Sequence, residues 1–436
     1  MRLKTVGILF LLLFIPLVAQ AEEDQNVYYY ILIDRFESGE QNGEGVNVDD
    51  PYAFNGGDFA GIENRVEHLE TLGVSHVILS PIFESNDYTG FEVSTYEGIQ
   101  PTFGSQKDLE KLINSLNDHD IEVILHFPID QQVEEDVLID YMTHWEEELP
   151  ISGYYFSNTD DYALDFWEQV TSAVNGFTIG ERRDGQLETL LETGFDRVFD
   201  RSAQDEAVEF FKDMDQPLEP LMDATDWKNE QIIYSMDFYD SNRFTHIFSQ
   251  TNSHQITHWK LALTYLMTTS SEPLIYQGSE IPLDGVVEDG SHHQMMNFLA
   301  GEDQLIRHIE KIANAYDDLP SLSKGQMDIL HADDSFLVFK KTYEDETTIV
   351  AINNSSTQQR VNVDLESNLE LRGLLVDDLI RENDDGTYSV AAERESSNIF
   401  MVQDDTGVYW PLIFIFVGIM TIFVVFSILM YRKNKN

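Results

Sequence analysis

The 436-residue chain carries 79 Asp and Glu against 26 Lys and Arg, a formal net charge of −53; such a surface repels phosphate backbones and excludes nucleic acid as a partner. It has no cysteine, which excludes a disulfide framework, a thiolate metal site and a cysteine nucleophile. Hydrophobic residues at 42% and aromatics at 12% supply cores for two or three domains and exclude disorder as the main state.

The first apolar run follows Arg2 and Lys4 and ends at Ala19-Gln20-Ala21. A charged start, a short apolar stretch and a small-x-small ending predict a cleaved secretory signal over residues 1–21. From residue 22 to 322, short apolar, β-branched or aromatic runs alternate with helical periods. The strand-like runs are 27–33, 74–80, 121–127, 153–157, 176–181, 195–200, 231–236 and 273–277. Continuous apolar strands separated by helices indicate parallel β-structure covered on both faces, and eight such units suit a (β/α)₈ barrel. Within the first run, alternation puts at most two of Tyr28, Tyr29 and Tyr30 on one face, as barrel filling requires. Residues 323–403 hold short strand-like runs at 327–331, 335–343, 347–353, 360–364 and 398–402 with polar turns, the pattern of a small all-β sandwich domain. A linker, 404–407, leads into the uncharged run 408–431, long enough to cross ~30 Å of hydrocarbon as a helix. Arg432, Lys433 and Lys435 follow in a tail, 432–436, that basic residues hold in the cytoplasm. The expected protein is thus a single-pass cell-membrane protein with its ectodomain outside. The acidic residues show no D-x-D-x-D-G spacing, and the adjacent His292-His293 reads as a surface pair whose side chains point apart; no metal or cofactor is expected.

The barrel half carries stretches that resemble the alpha-amylase family, glycoside hydrolase family 13. They include Val27 to Phe36, Asn55-Gly56-Gly57-Asp58-Phe59-Ala60-Gly61-Ile62, Leu72 to Ser85, Gly90-Phe91-Glu92-Val93, Pro101 to Ser105, and Ile275-Tyr276-Gln277-Gly278-Ser279-Glu280-Ile281. The resemblance covers about residues 27–403 and implies the same barrel, with catalytic carboxylates at the C-terminal ends of its strands. Carried over position by position, it implies an acid/base glutamate at Glu181 and a last carboxylate at Asp240. The nucleophile position, however, is Ser157 in Gly153-Tyr154-Tyr155-Phe156-Ser157, where the family has Gly-Phe-Arg-x-Asp. Tyr155 stands at the Arg position and Tyr239 at a His position; His126, Asp130 and Gln131 depart from the family's third-strand set. The family's insertion domain after the third strand has no counterpart, which removes one wall of its sugar cleft and part of its calcium site. Phe91, Tyr239 and Arg243 are the candidate substrate-binding residues.

A retaining glycosidase needs two carboxylates about 5 Å apart, and a serine without a base is a weak nucleophile at an anomeric carbon. The first reading is therefore a membrane-anchored, catalytically inactive member that binds an α-glucan or another carbohydrate, or acts as a scaffold for an envelope protein partner. The alternative is an active glycoside hydrolase or transglycosylase on α-glucosidic bonds, with Glu181 and Asp240 at work and Asp160 or Asp161 replacing the nucleophile; capping of the next helix is the plainer role for that pair. A second alternative is a transporter accessory subunit, by likeness to the amylase-fold heavy chains of amino-acid transporters. Those chains place their membrane helix before the barrel and use a cysteine bridge, unlike this sequence.

Overall fold

The computed structural model describes residues 25–39, 46–183, 187–225, 229, 231–249, 254–269, 272–299, 303–407 and 410–433. The expected signal segment, 1–21, lies outside them. Eight strands form a closed parallel barrel: β1 (Tyr28–Ile31), β2 (His76–Leu79), β3 (Glu122–His126), β4 (Gly153–Phe156), β5 (Phe177–Arg182), β6 (Arg197–Asp200), β7 (Ile232–Tyr234) and β8 (Glu272–Tyr276). β8 closes against β1, with Tyr30 opposite Tyr276. Each strand falls within a run read from the sequence or, for β5 and β8, reaches one residue beyond it.

The strands form here because both faces are buried. Tyr28 and Tyr30 enter the barrel interior with Ile78, Ile124, Tyr155 and Ile179, while Tyr29 and Ile31 pack outward under the helices. Successive strand residues point to opposite sides, so three consecutive tyrosines serve two cores. Gly153 is required by close approach: a Cβ there would lie 1.8 Å from the Phe177 carbonyl oxygen of β5. The surrounding helices carry ordinary start signals. Helix Gln106–Asn117 begins with a capping box of Ser105 and Asp108 and buries Leu109, Leu112, Ile113 and Leu116.

Residues 127–134 alone connect β3 to helix Glu135–Glu148. A hairpin of Phe83–Ser85 and Val93–Ile99, absent from the strand-like runs read in the sequence, follows β2. It carries Phe91 in its connection, toward the barrel mouth.

The C-terminal domain contains β9 (Gln326–Asp333), β10 (Phe336–Tyr343), β11 (Glu346–Asn353), β12 (Gln359–Asp364), β13 (Leu369–Gly373), β14 (Leu379–Arg381), β15 (Thr387–Ala392) and β16 (Ser396–Asp404). Six of them form a sheet in the order β9-β10-β11-β16-β13-β14, and β12 pairs with β15. Phe336, Val338, Ile349, Tyr388, Val390 and Phe400 fill the space between. Helix Gln255–Thr268 lies between barrel and β-domain and is buried on almost every side; its Thr264 bonds Ser397 of β16 at 2.8 Å.

The final helix, Trp410–Lys433, has 24 residues, about 36 Å at 1.5 Å per residue. Its apolar side chains, Phe414 to Ile428 and Met430 among them, are exposed. Among the described residues, whose side chains on this helix run from 414 to 428 plus Met430, no helix is long and apolar enough to cross a membrane.

Candidate active site

The barrel mouth is assembled from strand ends. His126 ends β3 and is fully buried. Its Nδ1 lies 2.9 Å from the Tyr30 hydroxyl and its Nε2 lies 2.9 Å from the Ser157 hydroxyl, just past β4. Burial pushes the His126 pKa down to about 3, so the imidazole is neutral at ordinary pH. A base so weak does little to activate Ser157.

Glu181 sits near the end of β5 with no solvent exposure. The Tyr155 hydroxyl donates to its Oε2 and Arg183 Nε donates to its Oε1 at 2.8 Å. Burial is the largest influence on this carboxyl and lifts it above the ordinary glutamate range, against the pull of Arg201 and Arg183. Arg183 also reaches Asp240 through Nη2, and Arg201 Nη2 lies 2.8 Å from Asp240 Oδ1. For Asp240, burial pushes upward, but Arg201 and Arg183 together outweigh it and hold the carboxyl low. Glu181 and Asp240 are thus joined by two guanidiniums. Arg201 comes immediately after β6 and also lies near the rings of Phe199 and Phe238.

Of the other sequence candidates, Phe91 stacks on Tyr239 at 5.0 Å between ring centroids, and Tyr239 stacks on Tyr30 at 5.4 Å. Tyr239 is nearly buried, so the column fills the mouth as well as lining it. Arg243 is placed elsewhere: it is fully buried, donates to the Gln277 and His292 carbonyls, and covers the Tyr276 ring. Asp237 is buried beside it and accepts from Ser279 Oγ at 2.6 Å.

Two expectations are corrected. His292 and His293 are neither exposed nor splayed apart. The 3₁₀ turn Ser291–His293 stacks their rings at 3.7 Å, and Tyr88 Oη lies 2.9 Å from His293 Nδ1. A tight turn lacks the alternation of a strand, which is why the side chains meet. Asp160 and Asp161 do not cap the next helix. They lie in a 3₁₀ turn, Asp160 accepts from the Arg183 amide at 2.8 Å, and helix Leu164–Ala173 starts after Ala163 with no side-chain cap.

Sequence reasoning misses Arg183 and Arg201. Their signal is positional: one follows Glu181 by two residues and the other directly follows Asp200, both at the C-terminal ends of barrel strands. Among the described residues no group of three or more His, Asp or Glu side chains is placed to hold a metal ion.

Residues 30–162 match the alpha amylase catalytic domain and residues 325–400 match the alpha-amylase C-terminal domain. Two stretches of the chain are therefore similar to the two domains of alpha-amylases. The catalytic match ends at Tyr162, before Glu181 and Asp240. Among solved structures, the chain is similar to an Anoxybacillus alpha-amylase, with 29% identity, a TM-score of 0.82, and coverage of 88% of this chain and 99% of that one. It is also similar to the Geobacillus thermoleovorans alpha-amylase complexed with acarbose, at 27% identity, TM-score 0.79, and 87% and 99% coverage. A cyclomaltodextrinase of Geobacillus thermopakistaniensis is 21% identical over 78% of this chain and 71% of its own length.

Proposed function

We propose that the protein engages an α-glucan at the barrel mouth and does not turn it over by the retaining route. The observation that carries the second half is Ser157 in place of a carboxylate, with neutral His126 as its neighbour. Forming a glycosyl-enzyme intermediate needs a carboxylate nucleophile on one face of the sugar and an acid on the other to protonate the departing glycosidic oxygen; here one face offers a hydroxyl. The acid, Glu181, is shared with Arg183 and Tyr155. The choice of α-glucan rests on the relatives, one of which is a structure complexed with acarbose.

A second reading keeps turnover, and the comparisons favour it over the inactive one: the relatives carry the names of enzymes, cyclomaltodextrinase and alpha-amylase among them. In that reading Glu181 protonates the departing glycosidic oxygen once Arg183 has moved aside, while Asp160 or Asp161 forms the new bond to the anomeric carbon and water later releases the sugar. The comparisons offer nothing for a scaffold role, an envelope protein partner or a transporter subunit.

We infer in addition that the signal-like segment and helix Trp410–Lys433 make this a single-pass membrane protein with the barrel outside. The short connection between 323–403 and the helix, and the bypass of an insertion domain by residues 127–134, belong to the same reading. The expectation rests on the sequence, where the uncharged run 408–431 is followed by Arg432, Lys433 and Lys435.

The deciding experiment measures maltooligosaccharide binding and reducing-end release by the wild type and Glu181→Gln. Binding with release at background in both is expected. Release that disappears in Glu181→Gln would establish the enzyme reading, and no binding at all would defeat both.

A further inference from the structure

A second concavity lies away from the barrel mouth, where helices Gln255–Thr268 and Gln304–Asp318 meet the C-terminal domain. It encloses ≈ 600 Å³. Three cationic side chains line it: Lys260 from the first helix, and Arg307 and Lys311 from the second. Arg307 and Lys311 are four residues apart and therefore share a helix face. Ser396 and Ser397 add hydroxyls from the β-domain side, and Leu375 and Val376 add an apolar wall.

The charges do not cancel internally. Arg307 pairs with Asp303. Among the described residues, neither Lys260 nor Lys311 has a carboxylate within ion-pair distance, and the Lys260 Nζ is 3.4 Å from Gln304 Oε1. The one acid in the lining, Glu395, is engaged by Arg394 at 3.2 Å and by His258 at 3.5 Å. His308, buried on the same face, bonds Thr264 Oγ1 at 2.9 Å and the Lys260 carbonyl at 3.1 Å, so it holds the two helices in register and fixes the backbone that bears Lys260. A chain of net charge −53 with 26 basic residues has placed three of them in one groove with two left unpaired by acids. At physiological salt the field of distant acids is screened beyond about 8 Å, so the local cations set the potential inside.

We propose that this groove binds a compact phosphate-bearing anion, bridging barrel and β-domain. Two ammonium groups act as point charges on phosphate oxygens, and the Arg307 fork supplies directional donors. None of these residues belongs to the barrel-mouth set, so the proposal does not rest on the glucan reading.

The test titrates the full-length chain, in detergent micelles, with inorganic pyrophosphate by calorimetry at constant ionic strength, beside a Lys260→Gln/Lys311→Gln variant. Neither lysine is part of the core, and an unchanged thermal midpoint without ligand verifies the variant's fold. Saturable binding in the wild type, weakened at least about tenfold in the variant, is expected. Arg307→Gln weakens binding less, because Asp303 already shares that charge. Equal binding by wild type and double variant, no saturable heat with pyrophosphate, or an equal response to chloride would each overturn it.

Discussion

Arg201→Met tests the electrostatics of the barrel mouth most directly. The substitution keeps an apolar stem beside Phe199 and Phe238 and removes the guanidinium that lies 2.8 Å from Asp240 and 3.8 Å from Glu181. At an effective dielectric of about 20, the closer contact alone is worth roughly 6 kcal/mol of Coulomb energy. Desolvation of the pair offsets much of that, and breaking such a pair costs about 3–5 kcal/mol when both partners are buried. The Asp240 side chain is 26% exposed and keeps Arg183, which brings the expected loss to about 3 kcal/mol at neutral pH. For a folded portion of this size that lowers the melting midpoint by about 4 °C. The pH dependence follows from the direction of each shift. Asp240 is held below the ordinary aspartate value of 3.8, so its contribution is present above that pH and is lost as pH falls through the folded value. Glu181 is raised above 4.5, so its ionisation costs stability as pH climbs past 4.5, a cost that Arg201 offsets. The Glu181 part of the variant's deficit is gone near pH 4, while the Asp240 part persists until the pH falls below 3.8, so the deficit is largest at neutral pH and smaller near pH 4. Adding Asp240→Asn should recover most of it, since the stranded charge is then gone. The assay is thermal unfolding by circular dichroism at pH 7 and pH 4. A midpoint drop below about 1 °C at pH 7, an equal drop at both pH values, or no recovery in the double variant would refute the coupling.

Ser157→Asp should restore no glucan hydrolysis, because Tyr155 and Arg183 still occupy Glu181 and catalytic groups act as a unit. The same change puts a carboxylate beside His126 Nε2 and should raise that imidazole's pKa from about 3, measurable by NMR titration; hydrolysis above background would contradict the first half. Gly153→Ala should destabilise the barrel by roughly 3 kcal/mol or more, since its Cβ would meet the β5 backbone; a midpoint within 1 °C of wild type, about the scatter of such a measurement, would show that β4 and β5 can part without cost.

The barrel was legible because its strands are buried on both faces and read as unbroken apolar runs, as in Val123 to Leu125 and Tyr154 to Phe156. The hairpin Phe83–Ser85 and Val93–Ile99 was not, since its residues are mostly half-exposed and mixed in polarity. β13 and β14 were missed for a similar reason: they are short and carry charged residues such as Arg372 and Arg381, while β15, uncharged, alternates buried Tyr388, Val390 and Ala392 with half-exposed residues. At the mouth, Glu181 and Asp240 were found because they sit in recognisable strand-end segments. Arg183 and Arg201 were not, because an arginine near a strand end has no spacing signature; only closure of the barrel brings both onto the same two carboxylates. The stacked histidines depend on a turn geometry that sequence alternation does not describe.

The residues at the mouth are in contact with one another. Ser157 bonds His126, His126 packs against Tyr155, Tyr155 bonds Glu181, and Tyr239 stacks between Phe91 and Tyr30. A mutational walk from this mouth to one with two opposed carboxylates therefore crosses states in which a buried charge or hydroxyl has lost its partner, each destabilising by itself. The interlocking contacts act as a ratchet on sequence change, holding the site's chemistry in place through the stability of the fold.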